Sequence, residues 1–198
     1  MFHVKHILSV NERARLQQYV DLLLFWNKRI NLIGAATSEE VWERHINDCA
    51  QLRKYIPENK SLIDLGTGGG LPGIVLSILL TNPIILVESD QRKCVFLREV
   101  KRQLRLNYQV IEGRIEQIEN FKSDIIISRA LAPLYQLLVL SQQLMKLDSE
   151  MILLKGGNHC AEIEEAQGNG WSFDFRTFKS ETSCNGVILE VKNIKNRG

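Results

Sequence analysis

One short stretch of this chain constrains its fold more than any other, because it places a cluster of glycines between an apolar run and a proline. It spans residues 61–73 and reads SLIDLGTGGGLPG. The apolar run Ser61 to Leu65 predicts a short buried strand, and Pro72 suits the first turn of a helix, where its missing N–H costs nothing. Glycines allow backbone angles and close approaches that side chains forbid. A strand that turns through glycines into a helix presents unpaired N–H groups and the positive end of a helix dipole, so the stretch predicts a site for the polar end of a nucleotide-like ligand.

Two binding motifs match these glycines, and they imply different ligands. Gly68, Gly70 and Gly73 match the G-x-G-x-x-G fingerprint of dinucleotide-binding proteins. The predicted strand ends just before Gly66, however, and this register favours a D-x-G-x-G-x-G pattern that begins at Asp64. That pattern resembles the first motif of S-adenosylmethionine (AdoMet)-dependent methyltransferases, in which Asp64 orients the loop or the ammonium group of the ligand. We therefore predict AdoMet as the cofactor, bound over Gly66 and Gly68, with an NAD-binding or nucleotide-sensing module as the alternative.

Predicted strands and helices alternate along the rest of the chain. Strands are predicted over 61–65, 84–88, 108–112, 124–128 and 150–155, helices over 91–105, 134–145 and 158–167, and a turn or short helix over 113–120. Segments 171–178 and 187–192 are expected to form a closing antiparallel pair. Such alternation is typical of a mostly parallel sheet covered by helices on both faces. We predict an α/β fold with a doubly wound, Rossmann-like sheet of the AdoMet-dependent methyltransferase type.

The part of the chain before the first strand is predicted to be helical. Capping boxes at Ser9–Glu12 and Thr37–Glu40 mark the starts of two helices, which run to about Asn27 and about Tyr55. Residues 1–57 are therefore expected to form a helical extension packed on the core. Residues 58–198 would form the methyltransferase domain, and the two would make one compact unit.

Composition argues against several classes of protein. The formal net charge is only +2, so overall charge does not indicate a nucleic-acid ligand. The four cysteines are scattered without a C-x-x-C pair, which argues against a zinc site or a disulfide framework. The segment Met1 to His6 does not resemble a signal peptide, and no apolar run reaches membrane-spanning length. We expect a cytoplasmic, monomeric protein without a metal cofactor.

Candidate site residues follow the predicted strands, because ligands of doubly wound sheets bind beyond the carboxyl ends of the strands. Glu88, after the second strand, is placed to accept hydrogen bonds from the ribose hydroxyls of a nucleoside, and Asp90 is the alternative. Backbone groups of Ile115 and Glu116, after the third strand, would read the edge of an adenine. An ordinary helix start, with Glu116 favouring the helix dipole, explains that segment equally well.

Arg129 and Lys155 follow the fourth and fifth strands. A permanently charged arginine can hold a phosphate, a base edge or the carboxylate of the cofactor, and Lys155 is a candidate contact for a substrate phosphate. The segment Ser128 to Pro133 lacks two known signatures. It has no Asn/Asp-Pro-Pro-aromatic tetrad, which would indicate methylation of an exocyclic amine, and no Pro-Cys pair, which would indicate cysteine attack on a pyrimidine ring.

The predicted helix over 91–105 concentrates positive charge on one surface, although the whole chain is nearly neutral. Against the single acid Glu99 it carries Arg92, Lys93, Arg98, Lys101, Arg102 and Arg105. Such clustering is the electrostatic footprint of a site for a polyanion, and Arg98 and Arg102 are candidate RNA contacts. A solvated helix face is the alternative interpretation.

Together these residues resemble the bacterial ribosomal RNA small subunit methyltransferase G family, also called glucose-inhibited division protein B. The resemblance covers most of the chain. Its most specific parts are His45 with Asp48, the run Leu71 to Gly73, and the run Ser128 to Ala130. The chain departs from the family at Cys49, where the family usually has serine, and in its C-terminal hairpin.

The resemblance implies AdoMet-dependent methylation of guanine N7, at guanine 527 of 16S ribosomal RNA, free or within the small ribosomal subunit. The AdoMet contacts that it carries over are Gly66, Leu71, Ile115, Glu116 and Arg129. Guanine N7 has a free lone pair and no proton to lose, so methyl transfer can proceed in line without a general base, and catalysis is mainly positioning. We assign no catalytic acid or base.

His45 and Asp48 are interpreted as a hydrogen-bonded pair that ties the N-terminal helices to the sheet.

The alternative enzymatic function is methylation of a small molecule or a protein. With such a substrate, the basic helix would be irrelevant to turnover.

Overall fold

The glycine stretch lies at the centre of a seven-stranded sheet in the order β3-β2-β1-β4-β5-β7-β6. The computed structural model describes residues 8–35 and 37–196, so the segment Met1 to His6 lies outside the described residues. The strands are β1 (Leu62–Leu65), β2 (Ile84–Glu88), β3 (Tyr108–Glu112), β4 (Ser123–Arg129), β5 (Met145–Lys155), β6 (Trp171–Lys179) and β7 (Val187–Asn196). β1 to β5 are parallel, and β7 and β6 add an antiparallel pair at one edge. The predicted doubly wound, mostly parallel sheet is confirmed.

Helices cover both faces of this sheet. They are α1 (Val10–Asn27), α2 (Ser38–Val41), α3 (Asn47–Ala50), α4 (Gly73–Leu79), α5 (Gln91–Leu104), α6 (Leu134–Ser141) and α7 (His159–Gly168). Both predicted capping boxes form. The Glu12 N–H donates to Ser9 Oγ at 3.2 Å and the Glu40 N–H to Thr37 Oγ1 at 3.3 Å, and each glutamate carboxylate accepts the N–H of its capping residue at 2.7 Å.

Each face of the sheet has its own hydrophobic core, because successive strand residues point to opposite sides. Leu62 of β1 packs with α1, α4 and α5, whereas Ile63 and Leu65 pack with α6 and α7. Both faces are therefore buried, as expected for parallel strands that read as continuous apolar runs. α1 shares the first core with α4 and α5, so the N-terminal helices pack directly on the sheet domain. The division of the chain after residue 57 stays a prediction.

Two predicted helices were wrong in detail. The helix expected to run to Tyr55 changes its hydrogen bonding, with a π-helical turn at Trp42–Ile46 between α2 and α3 and a 3₁₀ turn at Gln51–Tyr55. The helix expected over 134–145 ends at Ser141, and a 3₁₀ turn leads into β5 at Met145. Met145 becomes extended because it pairs with Ser123 of β4, a contact that helical spacing alone does not reveal. Within the described residues, no helix is both long and apolar enough to cross a membrane.

Candidate active site

The loop after β1 needs glycine for two physical reasons. Gly66, Gly68 and Gly70 have φ angles of +63°, +57° and +91°, a region that disfavours side chains. A Cβ at Gly66 would lie 2.5 Å from Leu131 Cδ1, and a Cβ at Gly70 would lie 2.3 Å from Ile74 Cδ1. At Gly68 the nearest atom to a Cβ is the Gly66 carbonyl oxygen, 3.9 Å away, so the space above Gly68 is open. The loop is thus a closely packed cradle with one open place where a ligand can approach the backbone.

Asp64 holds this loop in shape from below. It is fully buried, and its Oδ2 accepts hydrogen bonds from Thr67 Oγ1 at 2.5 Å and from the Gly73 N–H at 2.8 Å. A buried carboxylate with these partners orients the loop, which favours the first of its two predicted roles over contact with a ligand ammonium. Burial raises the pKa of Asp64 from 3.8 to about 7, against the two hydrogen bonds, which lower it.

Asp64 is expected to make the protein less stable as pH rises. An acid whose pKa is raised on folding binds its proton more tightly in the native state than in the unfolded chain. Its stabilising contribution is complete below pH 3.8 and is lost as pH rises to about 7, at about 1.4 kcal/mol per pH unit. The variant Asp64→Asn should lack this slope. Urea denaturation of both proteins at several pH values in this range measures the difference, and parallel pH profiles would contradict the prediction.

Glu88 closes the other side of the loop. It is 7% exposed, and its Oε2 accepts the Gly68 N–H at 2.9 Å, while its Oε1 accepts the N–H groups of Ser89 and Asp90. Oε2 accepts only one of these N–H groups and keeps a second lone pair for a ribose hydroxyl, and the ribose contact stays a prediction. Asp90, the alternative, serves instead as the N-cap of α5.

Sequence analysis missed Tyr19, which anchors the loop from α1. Its side chain is fully buried, and its hydroxyl donates to the Gly69 carbonyl at 2.6 Å. The signal in the sequence was a single hydroxyl within the apolar helical stripe of Leu16, Val20 and Leu23, because a buried tyrosine hydroxyl needs a partner.

Loss of the Tyr19 hydroxyl is expected to loosen the loop. Tyr19→Phe should lower the free energy of unfolding by about 1–3 kcal/mol, because the Gly69 carbonyl loses a buried partner. Ligand affinity at the loop should fall as well. Tyr108→Phe is the matched control, since it loses a similar buried hydrogen bond, to the Leu97 carbonyl at 2.7 Å, away from the loop. Equal effects of both variants on ligand affinity would argue against the proposed role of Tyr19.

Arg129, at the end of β4, joins the sheet to the π-helical turn Trp42–Ile46 and to α3. Its Nε lies 3.3 Å from Asp48 Oδ2, and its Nη2 donates to His45 Nδ1 at 2.8 Å and to the Arg44 carbonyl at 3.1 Å. His45 and Asp48 do tie the N-terminal helices to the sheet. They do so through Arg129 and not through a bond to each other, which corrects the predicted pairing. Burial and the adjacent Arg129 guanidinium lower the pKa of His45, which suits a neutral ring that accepts at Nδ1.

The backbone turns sharply just after Arg129. Ala130 has φ +52°, a left-handed conformation that is strained for a residue with a Cβ. The turn takes the chain out of the sheet and brings Leu131 against Gly66. Strand end, turn and glycine loop therefore form one continuous wall.

Two cavities meet at Arg129 and Ala130. The smaller, of about 180 Å³, lies over the glycine loop and is also lined by Ile33 and His45. The larger, of about 480 Å³, opens toward β5 and β7.

Lys155 lines the larger cavity, as predicted for a residue at the end of β5. It is already engaged, because its Nζ donates to Glu162 Oε2 at 2.6 Å and to the Ala132 carbonyl at 2.8 Å. The expected phosphate contact of Lys155 stays a prediction, and an anion would have to compete with Glu162. No group of three or more His, Cys, Asp or Glu side chains in residues 8–35 and 37–196 is arranged to hold a metal ion.

Comparison with known families decides the relationship of the chain. The model of a family described as rRNA small subunit methyltransferase G matches residues 12–184. The chain belongs to this family. A relative from Gluconobacter oxydans named Ribosomal RNA small subunit methyltransferase G is 44% identical over 188 residues, covering 95% of this chain and 97% of the relative. A protein of the same name from Rickettsia prowazekii is 39% identical, covering 91% of this chain and 93% of the relative.

Solved structures show the same fold at much lower sequence identity. A methyltransferase from Pyrococcus furiosus has a TM-score of 0.62 at 14% identity, covering 93% of this chain and 99% of that one. TYW2 from M. jannaschii in complex with AdoMet has a TM-score of 0.58 at 15% identity, covering 83% of this chain and 78% of that one. The fold of this rRNA small subunit methyltransferase G member is therefore that of AdoMet-dependent methyltransferases.

The segments that carried the family resemblance lie far apart in the sequence and converge at Arg129. Arg44 to Asp48 bind its guanidinium, Ser128 to Ala130 contain it, and the glycine loop shares a cavity with it. Cys49, next to Asp48 in the chain of this rRNA small subunit methyltransferase G member, is fully buried. Burial raises the pKa of its thiol, so it is unreactive and acts as a small core residue.

The segment after β3 forms a 3₁₀ turn at Ile115–Gln117 in this rRNA small subunit methyltransferase G member. Ile115 is 8% exposed, and its carbonyl accepts the Gln143 amide at 2.8 Å. Glu116 is exposed. Their contacts with an adenine stay predictions.

The basic face of α5 is confirmed as an exposed surface, but its charge is more balanced than the helix sequence suggested. Its exposed arginines pair with acids, as Arg92–Asp90 at 3.1 Å, Arg98–Glu112 at 3.0 Å and Arg102–Glu99 at 2.7 Å. Two of these acids lie outside the helix, so sequence analysis of the helix alone did not count them. Exposed ion pairs contribute little to stability, which leaves the arginines available to a competing polyanion.

Proposed function

We propose that this protein transfers the methyl group of AdoMet to N7 of a guanine in 16S ribosomal RNA, at guanine 527 as the family resemblance implies. Membership of the rRNA small subunit methyltransferase G family over residues 12–184 carries this proposal. The glycine cradle beside Arg129 supports it, because its open place over Gly68 suits a ligand held by backbone contacts.

The residues that would hold AdoMet line one continuous edge of the sheet. Gly66, Gly68 and Leu71 follow β1, Glu88 is the last residue of β2, and Ile115 and Glu116 follow β3. Arg129 lies at the end of β4, beside the glycine loop. When bound, AdoMet supplies an electrophilic methyl group that a nucleophile with a free lone pair can accept.

The role of the protein is then to position the guanine, and no proton has to be removed. Guanine N7 carries no proton, so in-line transfer requires no general base. The contacts of His45 support a reaction without a general base, because its Nδ1 already accepts a hydrogen bond from Arg129 and its pKa is lowered. Arg129, fixed by its contacts to Asp48, His45 and the Arg44 carbonyl, would act as a rigid positioning group.

The basic face of α5 would bind RNA phosphates away from the reacting base. Charge reversal at Arg98 and Arg102 together should weaken RNA binding at low salt, and each lost phosphate contact should reduce the salt dependence of binding by about one in the log–log slope. AdoMet binding should not change. Arg53→Glu, on the N-terminal helices, is the control. Unchanged binding and turnover of RNA by the doubly reversed variant would show that the basic face of α5 does not contact the RNA.

The decisive experiment combines the protein, methyl-labelled AdoMet and small ribosomal subunits from cells that lack the modification. After digestion, mass analysis of the nucleosides should find the label in 7-methylguanosine at a single site. Label in another nucleoside would overturn the choice of guanine N7. Thermal stabilisation by NAD but not by AdoMet would overturn the cofactor, since only a ligand of the native state raises apparent stability.

A further inference from the structure

The carboxyl ends of the strands form one edge of the sheet, and half of that edge lies outside the proposed cofactor site. Apart from Arg129, the proposed cofactor residues lie at or just after the ends of β1, β2 and β3, on one side of the β1–β4 boundary. The larger cavity lies on the other side, beyond β4, β5 and β7. Arg129 and Ala130 line both cavities, so a group in the larger one would face the glycine loop across Arg129.

The larger cavity has the size and chemistry of a nucleobase site. Its volume of about 480 Å³ lies in the range of small-ligand pockets. Leu137, Leu154 and Val187 supply apolar surface, against which a base can pack, and carboxylate and hydroxyl groups supply hydrogen-bonding positions. A phosphate site would instead require a surplus of cations, and here Lys155 is already paired with Glu162.

The roof of this cavity is fixed in place by the protein itself. The β6–β7 loop is bound by the buried Gln51, whose amide oxygen accepts the Glu181 N–H at 3.0 Å and whose amide nitrogen donates to Ser180 Oγ at 3.2 Å. Thr182 Oγ1 also donates to Asp48 Oδ1 at 2.7 Å. The cavity is therefore preformed. Asp48 contacts both Arg129 and the β6–β7 loop that covers the cavity.

Two carboxylates line the cavity, and they differ in what they can still accept. Both oxygens of Asp48 are used, one by Thr182 and Gln51 and the other by Arg129. Glu162 uses only Oε2, which accepts the Leu134 N–H at 2.9 Å and Lys155 Nζ at 2.6 Å. Within residues 8–35 and 37–196, Glu162 Oε1 has no hydrogen-bond partner, and its side chain is 21% exposed. A carboxylate that is fixed at one oxygen and open at the other can accept hydrogen bonds from a ligand in the cavity that it lines.

Guanine is the base that this acceptor suits. Its N1–H and exocyclic amine are adjacent donors on one edge, so the single free oxygen Oε1, with its two lone pairs, can accept both, whereas N7 lies on the opposite side of the ring and stays free. Adenine, cytosine and uracil do not present two such adjacent donors.

We propose that the larger cavity holds the target guanine, turned out of its RNA stack, and that Glu162 accepts hydrogen bonds from its N1–H and exocyclic amine. The N7 edge then faces Arg129 and the glycine loop. Lys155 and the Leu134 N–H are positioning groups for Glu162. The inference rests on the proposed function, because it assigns the base-recognition part of that same site.

The test compares two bases and three proteins. Inosine keeps N1–H and N7 but lacks the exocyclic amine, so small subunits reconstituted with inosine at the target position isolate that contact. The wild type should lose about 10- to 100-fold in kcat/KM on inosine, the range for a hydrogen bond to a charged group. Glu162→Gln should lose a similar factor on guanine and should discriminate less than about threefold between the two bases. Glu164→Gln, exposed on the same helix, should behave as the wild type.

The outcomes separate this inference from the proposed function. If the wild type makes no 7-methylguanosine, the proposed function fails. If it does, but guanine and inosine react equally, or Glu162→Gln discriminates as strongly as the wild type, only the present inference is overturned. AdoMet binding by Glu162→Gln checks its folding. Were that binding lost, the wild-type comparison of the two bases would decide, since a strong preference for guanine supports base-edge recognition and equal rates overturn it.

Discussion

Replacing Gly73 with alanine is expected to disrupt the glycine loop and to lower the free energy of unfolding by about 3 kcal/mol or more. A Cβ at this position would lie 2.1 Å from Leu86 Cδ2 and 2.7 Å from Asp64 Oδ2. Leu86 and Asp64 are both fully buried, so neither can move without disturbing the core. The hydrogen bond from the Gly73 N–H to Asp64 would also be strained. Denaturant unfolding measures the loss, and calorimetry with AdoMet should find no binding.

Gly168→Ala provides the matched control for this substitution. Gly168 ends α7, and nothing lies within 4 Å of its ideal Cβ. Alanine is the better helix former, so this variant should be as stable as the wild type or slightly more stable. A Gly73→Ala protein whose stability lies within about 1 kcal/mol of the Gly168→Ala protein would contradict the packing argument.

Replacing Arg129 is expected to have the largest effect on turnover. Arg129→Ala removes the group that connects β4 to Asp48, His45 and the Arg44 carbonyl, at the point where both cavities meet. Loss of positioning at a reacting centre costs on the order of 100-fold. We therefore expect kcat/KM for methyl transfer to fall by about 100-fold or more. Arg129→Lys should also fail, because a single ammonium group cannot reproduce a planar fork that reaches several acceptors.

A surface arginine controls for the loss of charge alone. Arg53 pairs with Glu12 at 2.8 Å and is 45% exposed, so Arg53→Ala should change stability by less than about 1 kcal/mol and leave turnover within about twofold. Steady-state methylation of small subunits at saturating AdoMet compares the variants. Turnover by Arg129→Lys within about threefold of the wild type would show that the fork geometry is not needed.

Local sequence patterns predicted the parts of the fold that depend on neighbours in the chain. The capping boxes at Ser9 and Thr37 and the glycine turn after β1 all involve residues within a few positions of one another. The apolar runs predicted the strands because both faces of a parallel sheet are buried. Where an element depended on a distant partner, as Met145 does on Ser123, the predicted boundary was wrong.

The α/β architecture, the glycine cradle and the residues that follow the strands could be predicted from local patterns, because strand and helix periodicity and glycine's freedom are local properties. How those residues act depends on contacts between distant parts of the chain. The tertiary structure bound Arg129 to His45 across 84 positions, seated Tyr19 under Gly69 across 50, and paired the α5 arginines with acids outside the helix. These contacts follow from how helices pack on the sheet, and packing brings together side chains that no local pattern relates. The sequence likewise predicted that Lys155 lies at the end of β5. Its ion pair with Glu162 is a tertiary contact that no local pattern reveals.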